Sequence, residues 1–387
     1  MGLRTMKKLK ILELCHFSAG GCGVWARAKQ ESIELAKNGH EVLIISSNIE
    51  KGSNKIVSCE ENLGSIKIQR YPAVKLGGES FMSWFDKKAA QKALEFRPDI
   101  IITHNYRHLH TTKALKLAAI LRKQGHKCKV FLVTHAPFVE GNITTTKLQT
   151  AIVKFYDSFI GPFTLNKFDK ILAISHWEIP YLLKAGAKKE KIVYLPNGIP
   201  QEFFSQKKVK EQNKILFLGR IAPKKKIETL ISTIPHLEDK TLKIEIVGPK
   251  EEEYFARINS LITRLNVRDR VIISPPIYDI KRKIAKIDSC KVYVLASRVE
   301  GMPQSLIEAM ARGKIVIGSN SIAIRDLIKD RENGYLFEFD DPKDLAKAIN
   351  MALEPTRKNK ALRKNAVKFV QQFRWDNVLN KLEKLFA

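Results

Sequence analysis

Short apolar runs alternate with amphipathic stretches from one end of this chain to the other, the pattern left by parallel sheets covered with helices. In the first half, strands are predicted at residues 9–14, 41–46, 66–71, 100–103, 129–134, 170–174 and 192–195, with helix-like segments between most of them. A second series is predicted at residues 215–218, 242–247, 271–274, 292–296, 315–318 and 335–337. The segment from 343 to 387 reads as helices, two of them separated by Phe373-Arg374-Trp375-Asp376. Between the two series, Pro196-Asn197-Gly198-Ile199-Pro200 has turn chemistry, and the following stretch is polar and rich in lysine. The pattern therefore predicts an α/β chain of two doubly wound, Rossmann-like domains: residues 1–200, a linker at 201–213, and a second domain from 214 to 372. Ligands of such sheets bind outside the carboxyl ends of the strands, so chemistry is sought directly after each apolar run.

A length of 387 residues fits two domains, each large enough for its own core. No apolar run approaches the roughly 20 residues that span a bilayer. The basic N-terminus leads into a strand-like run rather than a signal-peptide core, which predicts a cytoplasmic chain. The five cysteines are scattered without metal-like spacing, as expected of reduced, structural thiols. The net charge of +28 points to anionic surroundings. It is not confined to a tail: residues 101–150 carry eight Lys or Arg against one acid, Glu140. An anionic membrane surface, nucleic acid and a generally lysine-rich surface are the competing readings of that charge.

Four positions after strands carry candidate chemistry. After the strand at 292–296 comes Glu300-Gly301-Met302-Pro303-Gln304-Ser305, then Glu308, with a helix predicted over 304–312. Glu300 falls in the strand-to-helix loop and Glu308 about one turn into the helix. The amides of the helix start favour anionic oxygen, and the two carboxylates can accept from hydroxyl groups. A sugar nucleotide presents both. After the strand at 215–218 comes Gly219-Arg220, followed by Lys224, Lys225 and Lys226. Fixed cations there would neutralise a diphosphate leaving group.

Gly20-Gly21-Cys22-Gly23 follows the first strand and leads into a helix predicted at about 25–38. Glycines there let the backbone approach a ligand closely. As a dinucleotide fingerprint, Gly21-x-Gly23-x-x-Ala26 is incomplete, because Ser46-Ser47-Asn48 stands where an acid is expected. His135 is the fourth position, again at a strand end. His104, His108 and His110 lack metal-ligand spacing and are read as non-metal. With no Asp-x-Asp pair for a nucleotide-bound cation, the chain is read as needing no metal or other cofactor, protein cations taking that role.

Together these motifs resemble the GT-B glycosyltransferases, in particular the retaining family 4, over nearly the whole chain. The resemblance implies two Rossmann-like domains facing each other across a cleft, and a final helix from 373 to 387 crossing back to the first domain. It implies that Arg220 and Lys225 bind the donor phosphates, that Glu308 accepts from the ribose, and that Glu300 with the amides after it holds the transferred sugar. His135 matches the family's histidine near the reacting sugar, and Gly21 and Gly23 would lie against the diphosphate. The family usually has glycine after its lysine, whereas Lys226 follows Lys225 here. Lys224, Lys225 and Lys226 are therefore rivals, Lys225 being favoured by its spacing from Arg220.

The implied activity is retaining, metal-independent transfer of a sugar from a nucleotide-diphosphate donor to a glycan, lipid-linked or phosphorylated acceptor. UDP is the first guess for the donor nucleotide, with GDP and ADP open. The implied location is cytoplasmic or peripheral on the inner face of a membrane. The alternatives are an NAD-dependent oxidoreductase or nucleotide-sugar epimerase, on the Gly21 motif alone, and a nucleic-acid-binding protein, on charge alone.

Overall fold

The computed structural model describes residues 8–53, 55–73, 87–138, 147–206 and 209–387. The basic residues 1–7, Glu140 and the linker positions 207 and 208 lie outside the described residues. The chain divides into two compact units, one of residues 1–198 with 378–387 and the other of residues 199–377.

The first unit is built on an eight-stranded sheet. Its strands are β1 (Lys10–Phe17), β2 (Glu41–Ser47), β3 (Glu60–Leu63), β4 (Ile66–Tyr71), β5 (Ile100–His104), β6 (Lys129–Val133), β7 (Lys170–Ala173) and β8 (Ile192–Tyr194). They run in the order β3-β4-β2-β1-β5-β6-β7-β8. Every pair is parallel except β3 with β4. Central strands such as β5, buried at every residue, are nearly continuous apolar runs because helices cover both faces. β3, Glu-Glu-Asn-Leu, was not expected from the pattern: it is a polar, exposed antiparallel strand at the sheet edge, without the apolar run that marks the others.

The second unit carries β9 (Lys214–Leu218), β10 (Lys243–Val247), β11 (Val271–Ser274), β12 (Val292–Leu295), β13 (Ile315–Ser319) and β14 (Tyr335–Phe337). All are parallel, in the order β11-β10-β9-β12-β13-β14. The order reverses between β9 and β12, and in the first sheet between β1 and β5. Such switch points open a crevice at the carboxyl ends of the strands. The loops bearing Arg220 and Glu300 leave one switch point, and the Gly20–Gly23 loop leaves the other.

Part of the expected linker is not a tether. Residues Gln201–Phe204 form a 3-10 turn whose Phe203 is buried in the core of the second unit. That aromatic anchor is what a purely polar reading of 201–213 overlooked. The C-terminal region is helical at Pro342–Leu353, Arg357–Phe369 and Trp375–Glu383. Asp341 and Thr356 cap the first two of these, their side chains accepting from backbone amides of the first turn. Among the described residues no helix is long and apolar enough to cross a membrane.

Packing beneath the second sheet is close at Gly318 of β13, where a Cβ would lie 2.4 Å from Ile324 Cγ2 and 2.9 Å from Ile328 Cδ1. Gly318→Ala is therefore expected to cost roughly 1–3 kcal/mol through overpacking, measured as a lower urea midpoint at unchanged slope.

Candidate active site

In the second unit, three ties draw the loops after β9 and β12 together. Arg298 N–H donates to Lys224 O at 2.9 Å. The hydroxyl of Tyr293, a wholly buried residue of β12, bridges Leu218 O at 3.2 Å and Ser305 Oγ at 2.7 Å. Lys225 Nζ lies 2.5 Å from Glu300 Oε1, with both side chains largely shielded from water. Burial pushes the Tyr293 phenol well above its ordinary range, so it remains a neutral brace.

Backbone geometry sets the three lysines apart. Lys226 has φ +50° and ψ +48°, the left-handed conformation that glycine adopts without strain. Its side chain is turned to Asp340 Oδ2 at 2.8 Å. Lys224 is exposed, and Lys225 is ion-paired with Glu300. The lysine standing where the family usually has glycine thus occupies a glycine-like backbone position and is anchored elsewhere.

Arg220, directly after β9, is half-exposed, its guanidinium 3.8 Å from Glu251. The turn behind it needs glycine at 248: φ there is +154°, and a Cβ would come within 2.0 Å of Gly219 O. Gly301, Met302 and Pro303 form the loop before the helix Gln304–Ala311, and Met302 packs on the core. Glu308 is buried, and Lys283 Nζ sits 2.7 Å from its Oε1 and 2.5 Å from its Oε2.

Sequence reasoning missed Lys283. It lies on the helix Ile280–Asp288, begun by an Asp279 cap, in a run of charge that reads as a solvated face. The buried carboxylate of Glu308 thus has its charge balanced by this ammonium.

In the first unit the helix Gly23–Lys37 starts directly after the glycine loop, and Gly21 and Gly23 have open space where a side chain would stand. His135 and Ala136 both have left-handed φ, +58° and +50°. Glu178 fixes this turn from behind, accepting from Thr134 Oγ1 at 2.7 Å, Ile174 N at 2.5 Å and Ser175 N at 3.2 Å.

His135 Nε2 is 2.9 Å from His104 Nδ1, whose other nitrogen is 2.8 Å from Glu13 Oε2. Arg27 and Glu31 complete the cluster at 2.7 Å, and Glu13, Arg27, Glu31 and His104 are all fully buried. Burial raises Glu13 to about 8, partly offset by Arg27, and lowers His104 to about 4. Burial, with His104 and Arg27 nearby, also holds His135 well below the ordinary histidine range.

Burial thus favours the neutral forms of Glu13, His104 and His135, and a neutral Glu13 donating to His104 Nε2 would fix both imidazole tautomers. Ligand atoms of Glu13, Glu31 and His104 lie within 4.8 Å of one another, close enough to hold a cation, but the Arg27 guanidinium already brings positive charge to Glu31. A charged residue inside the apolar run of β1, and an Arg–Glu pair at i,i+4 on the buried face of a helix, were the sequence signals for this cluster.

Comparison with known proteins now fits the geometry. Residues 22–203 match the sequence profile described as Glycosyltransferase Family 4, and residues 198–369 that of Glycosyl transferases group 1. The N-acetyl-alpha-D-glucosaminyl L-malate synthase of Bacillus anthracis is 23% identical over 397 residues, covering 98% of this chain and 97% of that protein. A Campylobacter jejuni alpha-1,4-N-acetyl-D-galactosaminyltransferase, named for an undecaprenol-diphosphate-linked glycan, is 26% identical over 357 residues and 90% of each chain. The crystal structure of Anabaena HepE with UDP and glucose superposes with a TM-score of 0.72 at 18% identity, covering 97% of this chain and 98% of that one.

The protein is a glycosyltransferase of the two-domain GT-B fold. The chain belongs to glycosyltransferase family 4, the glycosyl transferases group 1. The oxidoreductase, epimerase and nucleic-acid readings are set aside by that membership.

Two tests follow. Lys226→Gly removes roughly 1–2 kcal/mol of left-handed strain against an ion pair worth under about 1 kcal/mol; the thermal midpoint should hold or rise, and kcat should stay within about twofold. Glu13 has a folded-state pKa above its unfolded value, so its stabilisation is full at low pH and is lost as pH rises through about 8. The thermal midpoint should fall between pH 7 and 8.5 in the parent and fall less in Glu13→Gln.

Proposed function

We propose that this enzyme transfers a sugar from a nucleotide-diphosphate donor, UDP-linked in the first instance, to a glycan, lipid-linked or phosphorylated acceptor. The observation that carries the reading is the Lys225–Glu300 pair at 2.5 Å beside the switch point of the second sheet, with Arg220 on the same strand-end loop as Lys225. A cation held by a carboxylate at a strand end is ready to exchange that partner for a phosphate. Glu300 is then released to accept from hydroxyls of the transferred sugar.

The donor's ribose meets Glu308, whose charge Lys283 balances. The amides of Gly301, Met302, Gln304 and Ser305 face the diphosphate at the helix start. The names of relatives support the substrate class: UDP with glucose in the HepE structure, and a lipid-diphosphate glycan in the name of the Campylobacter enzyme.

In this reading the acceptor oxygen attacks the anomeric carbon from the face by which the nucleoside diphosphate leaves. The old carbon–oxygen bond breaks as the new one forms, and the acceptor proton passes to the departing phosphate oxygen. Configuration is retained without a covalent sugar–enzyme intermediate. Arg220 and Lys225 stabilise the charge growing on the leaving group, and His135 donates to a sugar hydroxyl. Protein cations fill the role that a nucleotide-bound metal has elsewhere. With a lipid-linked acceptor, the enzyme works against an anionic membrane surface.

Nucleotide release from UDP-, GDP- and ADP-sugars, with membrane extract and with EDTA, tests the reading. Release from a UDP-sugar, undiminished by EDTA, is expected. Arg220→Ala and Lys225→Ala should each lower kcat by about 100-fold or more, and parental rates in both would remove the phosphate role. An inverted anomer in the product would remove the same-face mechanism.

A further inference from the structure

One surface of the first unit carries none of the candidate site residues named above. Residues Lys147–Phe155, Tyr156–Ile160 and Gly161–Leu165 form successive helical turns, the middle one of π type. Leu148, Phe155, Phe159 and Phe163 are 70%, 58%, 62% and 74% exposed, and Ile152 is exposed with them. Their spacing of three or four residues puts them on one side of a helix, and the Phe155 and Phe159 rings lie 5.0 Å apart. Four large apolar side chains at such exposure on one ridge mark a surface that something covers.

The charge around the ridge tells what covers it. Lys154, Lys167, Lys184, Lys188 and Lys189 are exposed, and among the described side chains from 147 to 191 the only exposed acid is Glu190. The turn that follows the helix Ile179–Lys184 and leads to Lys188 is packed on the end of the ridge: Asn166 Nδ2 donates to Gly186 O at 2.8 Å and Lys188 N–H to Asn166 Oδ1 at 3.0 Å. The one acid within the ridge, Asp157, is taken up by Arg107, whose Nε donates to it at 2.8 Å.

An apolar ridge bordered by a single sign of charge suits an interface that is apolar in depth and anionic at its surface. A second copy of this chain would bring like charges together across a two-fold contact. We propose that residues 148–163 dock the enzyme on an anionic lipid bilayer, the phenylalanines entering the acyl boundary and the lysines meeting phosphate headgroups. This rests on the reading of a lipid-linked acceptor given above.

Vesicle flotation tests it, using phosphatidylcholine alone and phosphatidylcholine with phosphatidylglycerol, with the oligomeric state measured by light scattering. The parent should float with anionic vesicles and much less with neutral ones. Phe155→Ser/Phe159→Ser/Phe163→Ser should lose at least about tenfold in partitioning, and Lys154→Glu/Lys184→Glu/Lys188→Glu should lose the preference for anionic lipid. Both variants should release nucleotide from a donor sugar at the parental rate, which separates docking from transfer. Flotation of the parent that the phenylalanine variant leaves unchanged would overturn this surface while leaving membrane attachment in place. Absence of flotation would overturn both, and a dimer lost in the phenylalanine variant without flotation would assign the ridge to self-association instead.

Discussion

A lysine and a glutamate held 2.5 Å apart at the ends of two neighbouring strands set the terms for the second unit. Neither charge is comfortable alone there, because removing one partner from a shielded pair leaves the other uncompensated. The pair thereby fixes the separation of two loops whose sequences are otherwise free to wander. Around it the fold adds redundant constraints: the amide of Arg298 on the carbonyl of Lys224, the Tyr293 hydroxyl across a strand end and a helix start, and Gly248 making room for Gly219. Loops so braced are held in one arrangement by several independent contacts, which leaves little loop disorder for a ligand to remove.

The two units use charge in opposite ways. In the second, opposite charges are paired off, Lys225 with Glu300 and Lys283 with Glu308. In the first, Glu13, Arg27, Glu31 and His104 are fully buried, so burial favours neutral forms for the titratable members and spares the fold part of the penalty for enclosing ions. A neutral relay behind His135 orients an imidazole without committing it to a charge.

Much of this was legible beforehand. Thirteen of the fourteen strands among the described residues appear as apolar runs within a few residues of their observed bounds, because strands covered on both faces leave an unbroken signature. The exception, β3, is an edge strand whose partnership lies in backbone hydrogen bonds rather than side-chain character. Glu300, Glu308, Arg220 and Lys225 stood out because they follow strands.

Lys283 did not, because nothing local distinguishes a lysine that reaches a buried carboxylate from one that faces water. What sets Lys226 apart from its two neighbours is a backbone angle, which no composition encodes. The ridge from 148 to 163 was hidden for a related reason: an apolar stripe has the same spacing whether it faces core or solvent.

Arg27 has a consequence beyond its electrostatics. It stands on the helix that opens at Gly23, and its NH1 donates to Pro196 O at 3.0 Å and Asn197 Oδ1 at 2.8 Å, where the chain is about to leave the first unit. The helix that begins at the glycine loop and the exit peptide are thus held to each other by one buried guanidinium, with no strand of the sheet as intermediary.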